Sequence, residues 1–237
     1  MPVLEPIGLS TDKALIEKPA FYLSSGIDDQ LEKLWRFAQT QPVNNTAQSL
    51  PLIVVGRTIN SQLTEFNSQA ALLLEDENVP AIRAAQAIIF IGTSPELSQL
   101  KRLILDTTPL YLTSFNALDA QTIKHAKLYL SLPRSTPRVN STVERQRQAF
   151  AAHQGIDNAL LSRHVWDTSK LFATLLKQSG HKLTRKKWIK KIETLYRYQS
   201  DFSDQLTFRH NKHIGSNKNA LVRYSPQSQR WQFVKTL

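Results

Sequence analysis

Ala87-Ile88-Ile89-Phe90-Ile91-Gly92-Thr93-Ser94-Pro95-Glu96-Leu97 changes character at its middle. The first five residues are an unbroken apolar run, β-branched at three positions and too short for a stable helix. That is the pattern of a strand buried on both faces. Gly92 ends the run. Ser94 can cap a helix that begins at Pro95, where the missing amide proton of proline is not needed. From there Leu97, Leu100, Leu103 and Ile104 supply an apolar stripe that reaches about Leu105. The stretch therefore reads as strand, glycine loop and amphipathic helix.

The same unit recurs on either side. Upstream, Leu52-Ile53-Val54-Val55 is a second short buried strand, again closed by a glycine, Gly56. Ahead of it, Asp28 to Gln39 places Leu31, Leu34, Trp35 and Ala38 on one helical face, with acidic residues at its start. Ile59 to Leu74 is expected to be largely helical. Downstream, Pro109 to Leu112 and Lys127 to Leu132 are further strands. Alternating strands and helices imply an α/β fold, a three-layer, mostly parallel sheet with helices on both faces and right-handed crossovers. Ligands of such sheets sit beyond the carboxyl ends of the strands, which directs attention to Gly56–Asn60 and Gly92–Glu96.

Beyond Pro133 the pattern shifts. Prolines at 133 and 137 mark a loop, and Glu144 to His153 suits a polar helix. Asn158 to Gln178 is the strongest helix, with Leu160, Leu161, Val165, Phe172, Leu175 and Leu176 as its apolar face and Gly180 as its C-cap. Asn219 to Tyr224 and Arg230 to Lys235 alternate as two antiparallel strands around a Ser-Pro turn. Residues 1–132 are thus expected to form one α/β domain, with 133–237 returning to pack on it.

The composition is that of a folded globular chain: 41% hydrophobic and 21% charged residues over 237 positions. Without cysteine, thiolate chemistry and cysteine-based metal sites are excluded. No apolar run approaches the roughly 20 residues that span a bilayer, and the first residues lack the pattern of a secretory signal, so the chain as written is expected to stay where it is made. Thirty Lys and Arg against 19 Asp and Glu give a net charge of +11. Much of that excess lies at His181–Lys191 and Arg209–His213. In the first cluster Leu183, Trp188, Ile192 and Leu195 fit one helix face, with the lysines on a solvated face around it. Nucleic-acid binding is the competing reading of the same charge.

Motifs late in the chain carry a resemblance. After the long helix, Gly180-His181-Lys182-Leu183-Thr184-Arg185-Lys186-Lys187 leads into Ile192-Glu193; Leu206-Thr207-Phe208 precedes Asn211-Lys212-His213-Ile214-Gly215; and Ala220-Leu221-Val222 follows. In that order they resemble the closing segment of type I periplasmic solute-binding proteins, the leucine/isoleucine/valine-binding family of ABC transporters. Phe21 to Gln30, ending in Gly26-Ile27-Asp28-Asp29-Gln30, and Ala87 to Leu97 resemble that family's entry to the second lobe and its strand-loop-helix. The resemblance covers most of the chain, but only about the last two-thirds of a family member, without most of the first lobe.

The resemblance implies a non-enzymatic protein that binds a small amino-acid or amide-like ligand between two lobes in the periplasm, and works with an ABC transporter permease. A missing lobe supplied by another chain, or a truncated product, would account for the absent segment. By the same resemblance Glu96 would hold a ligand ammonium, with Thr93, Ser94, Tyr22, Ser24 and Ser25 beside it. A charge-assisted hydrogen bond makes that carboxylate role physically reasonable. The competing reading is local: Ser94 caps the helix and Glu96 favours its positive end. Two motifs depart from the family. Gly56-Arg57-Thr58 stands where Tyr-Gly-x-Gly is usual, and Lys212-His213-Ile214-Gly215 replaces Arg-Arg-Ile-Gly.

No catalytic constellation, cofactor or metal site is expected. His210 and His213 have metal-like spacing but no completing ligand, and nucleophile-elbow, phosphate-loop and dinucleotide motifs are absent. The alternative to solute binding is a basic interaction domain that contacts nucleic acid or an acidic partner.

Overall fold

The structure is a computed structural model that describes residues 3–4, 20–41, 50–60, 71–117, 120, 123–133, 140–156, 159–180, 184–202, 205–209, 214–228 and 230–237. In chain order the first elements are β1 (Val3–Leu4), β2 (Ala20–Ser24), α1 (Ile27–Gln39), β3 (Leu52–Val55), α2 (Arg57–Asn60), β4 (Ala71–Leu73) and α3 (Val79–Ala84). Then come β5 (Ile88–Ile91), α4 (Ser94–Leu103), β6 (Leu110–Leu112), β7 (Leu128–Pro133), α5 (Ser141–His153) and α6 (Ala159–Ser179). The last are α7 (Arg185–Glu193), β8 (Ile214–Ser216), β9 (Asn219–Ser225) and β10 (Arg230–Thr236).

Two units result. A strand-rich unit comprises Gly26–Leu132 and Asn219–Leu237; a helix-rich unit comprises β1, β2 and Pro133–Lys218. This differs from the single division expected at 132/133, because pairing partners are exchanged at both ends. Strand β2 pairs with β8, and β9 and β10 join the sheet of the first half.

In the strand-rich unit seven strands run in the order β10-β9-β7-β6-β5-β3-β4. From β4 to β7 all pairings are parallel, whereas β9 and β10 form an antiparallel pair with a register shift between Phe233 and Lys235. The mostly parallel sheet and the C-terminal antiparallel strands are those expected. The buried face of α1, Ile27, Leu31, Leu34 and Ala38, shares a core with Ile53, Val55, Ile89, Ile91 and Tyr111. Their strand neighbours Val54, Ile88 and Phe90 point to the opposite face by the two-residue period, and they too are fully buried. Both faces are covered, which is why these strands read as continuous apolar runs.

Two expectations need correction here. Ala71–Leu73 is not the end of a helix but strand β4, paired in parallel with β3 at the sheet edge; residues 61–70 lie outside the described residues. A short leucine run has no period that separates helix from strand, so the free edge of β3 decided it. Helix α4 starts at Ser94, and its N-cap is Thr93 rather than Ser94.

The helix-rich unit pairs β1, β2 and β8 in a small parallel sheet. Its core is Phe21, Leu171, Leu175, Trp188, Ile192, Leu195, Leu206 and Phe208, with Phe21 and Phe208 edge to face at 5.9 Å. Trp188, Ile192 and Leu195 share that core as their spacing implied; Leu183 lies outside the described residues. On α6 the expected face is shifted. Leu171 and Leu175 are buried, but Phe172 and Leu176 are each 40% exposed, and the side chains of Leu160 and Leu161 lie outside the description. Polar groups are also buried here. Arg147 bonds Ser162 and donates to Glu144 at 2.7 Å, and Asp167 accepts from the amides of Asp201 and Phe202.

Candidate functional site

Strands β3 and β5 lie side by side in register, Val55 opposite Ile91, so the glycines that follow them, Gly56 and Gly92, end the same edge of the sheet. The Gly56 amide donates to the Ile91 carbonyl at 2.8 Å and extends the ladder by one step. Over this edge lies the carboxylate of Glu96. A methyl group on Gly56 would stand 2.2 Å from Glu96 Oε2 and 2.9 Å from Gly92 Cα; one on Gly92 would stand 2.3 Å from Phe90 Cζ. Glycine is needed at both places because another group already fills the space.

Helix α4 brings Glu96 there. Thr93 is extended at the N-cap and Glu96 is the third helical residue, so the two form a capping box. Glu96 Oε2 accepts from the Thr93 amide at 2.8 Å and from Thr93 Oγ1 at 2.7 Å. Its other oxygen, Oε1, accepts from the Thr58 amide at 3.1 Å and from Thr58 Oγ1 at 3.2 Å. Burial is the largest influence and pushes the Glu96 carboxyl up, but the donors from Thr93 and Thr58 together outweigh it and hold the group below its ordinary value. Glu96 is a carboxylate at neutral pH.

Neighbouring loops are held as firmly. Buried Asn116 donates through Nδ2 to the Gly92 carbonyl at 2.7 Å. Gln30 and Ser114 exchange two hydrogen bonds, Gln30 Nε2 to Ser114 Oγ and the Ser114 amide to Gln30 Oε1, both 2.9 Å. These tie the loop after β6 to the first turn of α1. Arg57 turns away to the Leu74 carbonyl at 3.3 Å and to Glu75 at 3.5 Å.

Of the residues expected at a site, Thr93 and Glu96 are brought together, with exposed Ser94 between them as the first residue of α4. Tyr22, Ser24 and Ser25 belong to the helix-rich unit. There Tyr22 and Ser24 are half-buried at the carboxyl end of β2, in register with Ile214 and Ser216, and the Ser25 amide donates to the Ser216 carbonyl at 3.0 Å. Lys212, His213 and His210 lie outside the described residues, as do residues 181–183 of the first basic run. Among the described residues no group of three His, Cys, Asp or Glu is placed to hold a metal, and no helix is long and apolar enough to cross a membrane.

Thr58 and Asn116 are partners that local sequence reading missed. Thr58 has no local signal, being 38 positions from Glu96. The cap did have one: Thr93-Ser94-Pro95-Glu96 fits the S/T-x-x-E capping pattern one residue ahead of the expected cap.

No family model matches the sequence, and no curated protein matches it either. Solved structures do. A possible leucine/isoleucine/valine-binding protein from Rhodopirellula baltica superposes with a TM-score of 0.71 at 12% identity, over 99% of this chain and 71% of its own. A type 1 periplasmic binding protein from Bordetella pertussis gives 0.60 at 11%, over 98% of this chain and 74% of its own. The fold is that of the type I periplasmic binding proteins. An ABC transporter substrate-binding protein from Desulfitobacterium hafniense, solved with leucine, is similar at a TM-score of 0.65 and 15% identity, over 99% of this chain and 73% of its own. Within this type I binding-protein fold, the Gly56–Gly92–Glu96 edge occupies the carboxyl ends of parallel strands, where α/β sheets present their ligand loops.

Proposed function

We propose that the chain is a non-enzymatic solute-binding protein for a small amino-acid-like ligand, and that the Glu96 edge receives the ligand's ammonium group. The observation that carries this reading is the ionised Glu96 carboxylate, fixed by Thr58 and Thr93 where β3 and β5 end. Its two oxygens already accept four hydrogen bonds, about as many as a carboxylate takes. The role that remains is indirect: Glu96 holds the hydroxyl protons of Thr58 and Thr93, so each hydroxyl oxygen presents lone pairs outward, that of Thr93 keeping one beside the Glu96 amide it accepts from in the capping box. A fixed negative charge behind two oriented acceptors suits a cation such as a primary ammonium. Ser94 stands next to them and adds a hydroxyl. Delivery to an ABC transporter permease in the periplasm completes the reading; among the similar structures one is named an ABC transporter substrate-binding protein and another a periplasmic binding protein.

The test is a thermal-shift and calorimetry screen of the proteinogenic amino acids and small amides. A ligand at 100 times its Kd stabilises by about 2.7 kcal/mol, a plain upward shift in Tm. Glu96→Gln should abolish most of that shift and leave the ligand-free protein folded. No shift with any amino acid or amide sinks the reading.

A further inference from the structure

At the C-terminal end of α7 the surface carries an aromatic ring dressed with cations. Tyr196 is 56% exposed, and the guanidinium carbons of Arg197 and Arg209 lie 5.1 and 5.3 Å from its ring centroid. Among the described residues neither guanidinium is paired with a carboxylate. Arg197 also has a left-handed backbone, φ +53°, unique among the described non-glycine residues, and its amide donates to Thr207 Oγ1 at 3.3 Å. Leu195 is buried just before Tyr196, and the Phe208 amide donates to the Leu195 carbonyl at 2.8 Å, which brings Arg209 alongside. The arrangement spends backbone strain to hold two like charges against one exposed ring, and strain of this kind collects at functional surfaces.

The charge extends along α7. Arg185, Lys186, Lys187 and Lys190 are exposed, while Trp188 and Ile192 are buried in the core. Between Thr184 and Arg209 the sequence has seven Lys and Arg against three Asp and Glu. Of those acids, Asp201 is engaged by Lys170 and Trp166.

We propose that this surface binds single-stranded nucleic acid. Exposed cations meet the phosphates, and the Tyr196 ring with its guanidinium planes offers stacking surfaces to unpaired bases. An anionic bilayer fits less well, because the apolar face that a basic helix would insert is already buried at Trp188 and Ile192. An acidic protein needs the charges but not the exposed ring, and a duplex keeps its bases stacked away from it. The inference rests on the helix-rich unit alone and stands apart from the amino-acid reading.

Fluorescence anisotropy with a labelled oligothymidylate of about 20 nucleotides, longer than one strand-binding site, tests it on the full chain. Binding at low salt should weaken steeply as salt rises, and loss of both guanidinium contacts should flatten the slope by about 1.4, at about 0.7 per phosphate. Tyr196→Ala should cost about ten-fold in affinity and Tyr196→Phe little, since stacking needs the ring. Arg197→Gly paired with Arg209→Gln removes both guanidiniums without strain, because glycine accepts the left-handed backbone. Circular dichroism of each variant checks folding. Absence of binding at low salt overturns the proposal. So does equal affinity for the matching duplex, for polyglutamate or for phosphatidylglycerol vesicles, and so does indifference to Tyr196→Ala in a folded variant.

Discussion

The two units fill their interiors by different means. In the strand-rich unit the centre is a block of aliphatic side chains from parallel strands, with Ile88 to Ile91 entirely buried. The helix-rich unit has only a small described sheet, and it relies on aromatic edges such as Phe21–Phe208 and on buried polar groups such as Arg147, Ser162 and Asp167. An aliphatic interior asks for shape alone, whereas a polar one also asks that each partner be present. The first tolerates exchange among hydrophobes of similar volume. The second is sensitive to loss of a single hydrogen-bonding group.

Truncation of the aliphatic block gives the largest expected effect. Phe90→Ala should destabilise by about 3–5 kcal/mol, the usual cost for a fully buried phenylalanine. Hydrogen exchange then sharpens the comparison. Protection lost in β3, β5 and β6 but kept in α6 and α7 marks two independent units, and loss everywhere marks a single cooperative block.

Arg147→Met strikes the polar interior. It leaves Glu144 with some solvent contact and with Arg163 at 3.5 Å as its remaining cation, so a loss of about 2 kcal/mol is expected rather than the full cost of breaking a buried pair. Chemical denaturation measures it, and Arg147→Met with Glu144→Gln should recover much of the loss. A double variant as weak as the single one would show that packing of the arginine stem, not its charge, stabilises this unit.

Gly56→Ala tests the boundary between core and site. The added methyl meets the Glu96 carboxylate and the Gly92 backbone, so a cost of about 1–3 kcal/mol is expected from overpacking. The same change at Gly155, where φ is +65° but no atom lies within 4 Å, introduces backbone strain without a clash and should cost about 1 kcal/mol.

Glu96→Gln is as mild as the change at Gly155. Because the Glu96 carboxyl is held below its ordinary value in the folded chain, it contributes stability above the unfolded value, and that contribution fades as pH falls through the folded one. At neutral pH the variant should be weaker by about 1 kcal/mol, the usual worth of a cap. The gap should close below about pH 4, the ordinary carboxylate range. Denaturant midpoints for both proteins from pH 7 to 3 measure it, and a constant gap would mean that the hydrogen bonds do not distinguish the charged form.

Much of this architecture was legible in the residues. Buried parallel strands declare themselves as apolar runs, and α1 declared itself by Leu31, Leu34 and Ala38 at helical spacing. The site was legible in part. The glycine after each strand marks the edge over which Glu96 comes to lie, but Thr58 reaches that carboxylate only because β3 and β5 pair. On α6 the spacing marked an apolar face without saying what would cover it, and Phe172 and Leu176 are half in solvent.

What the sequence determined by itself is therefore local: the strand runs, the helix faces, the capping pattern at Thr93 to Glu96 and the excess of positive charge. Each depends on residues a few positions apart, where steric preference and periodicity suffice. The tertiary structure alone decided three things. It gave β9 and β10 to the sheet of the first half, made Ala71–Leu73 an edge strand, and closed Thr58 onto Glu96. Those outcomes turn on which free strand edge or unpaired donor lies nearby once the chain has folded, and no local pattern carries that information.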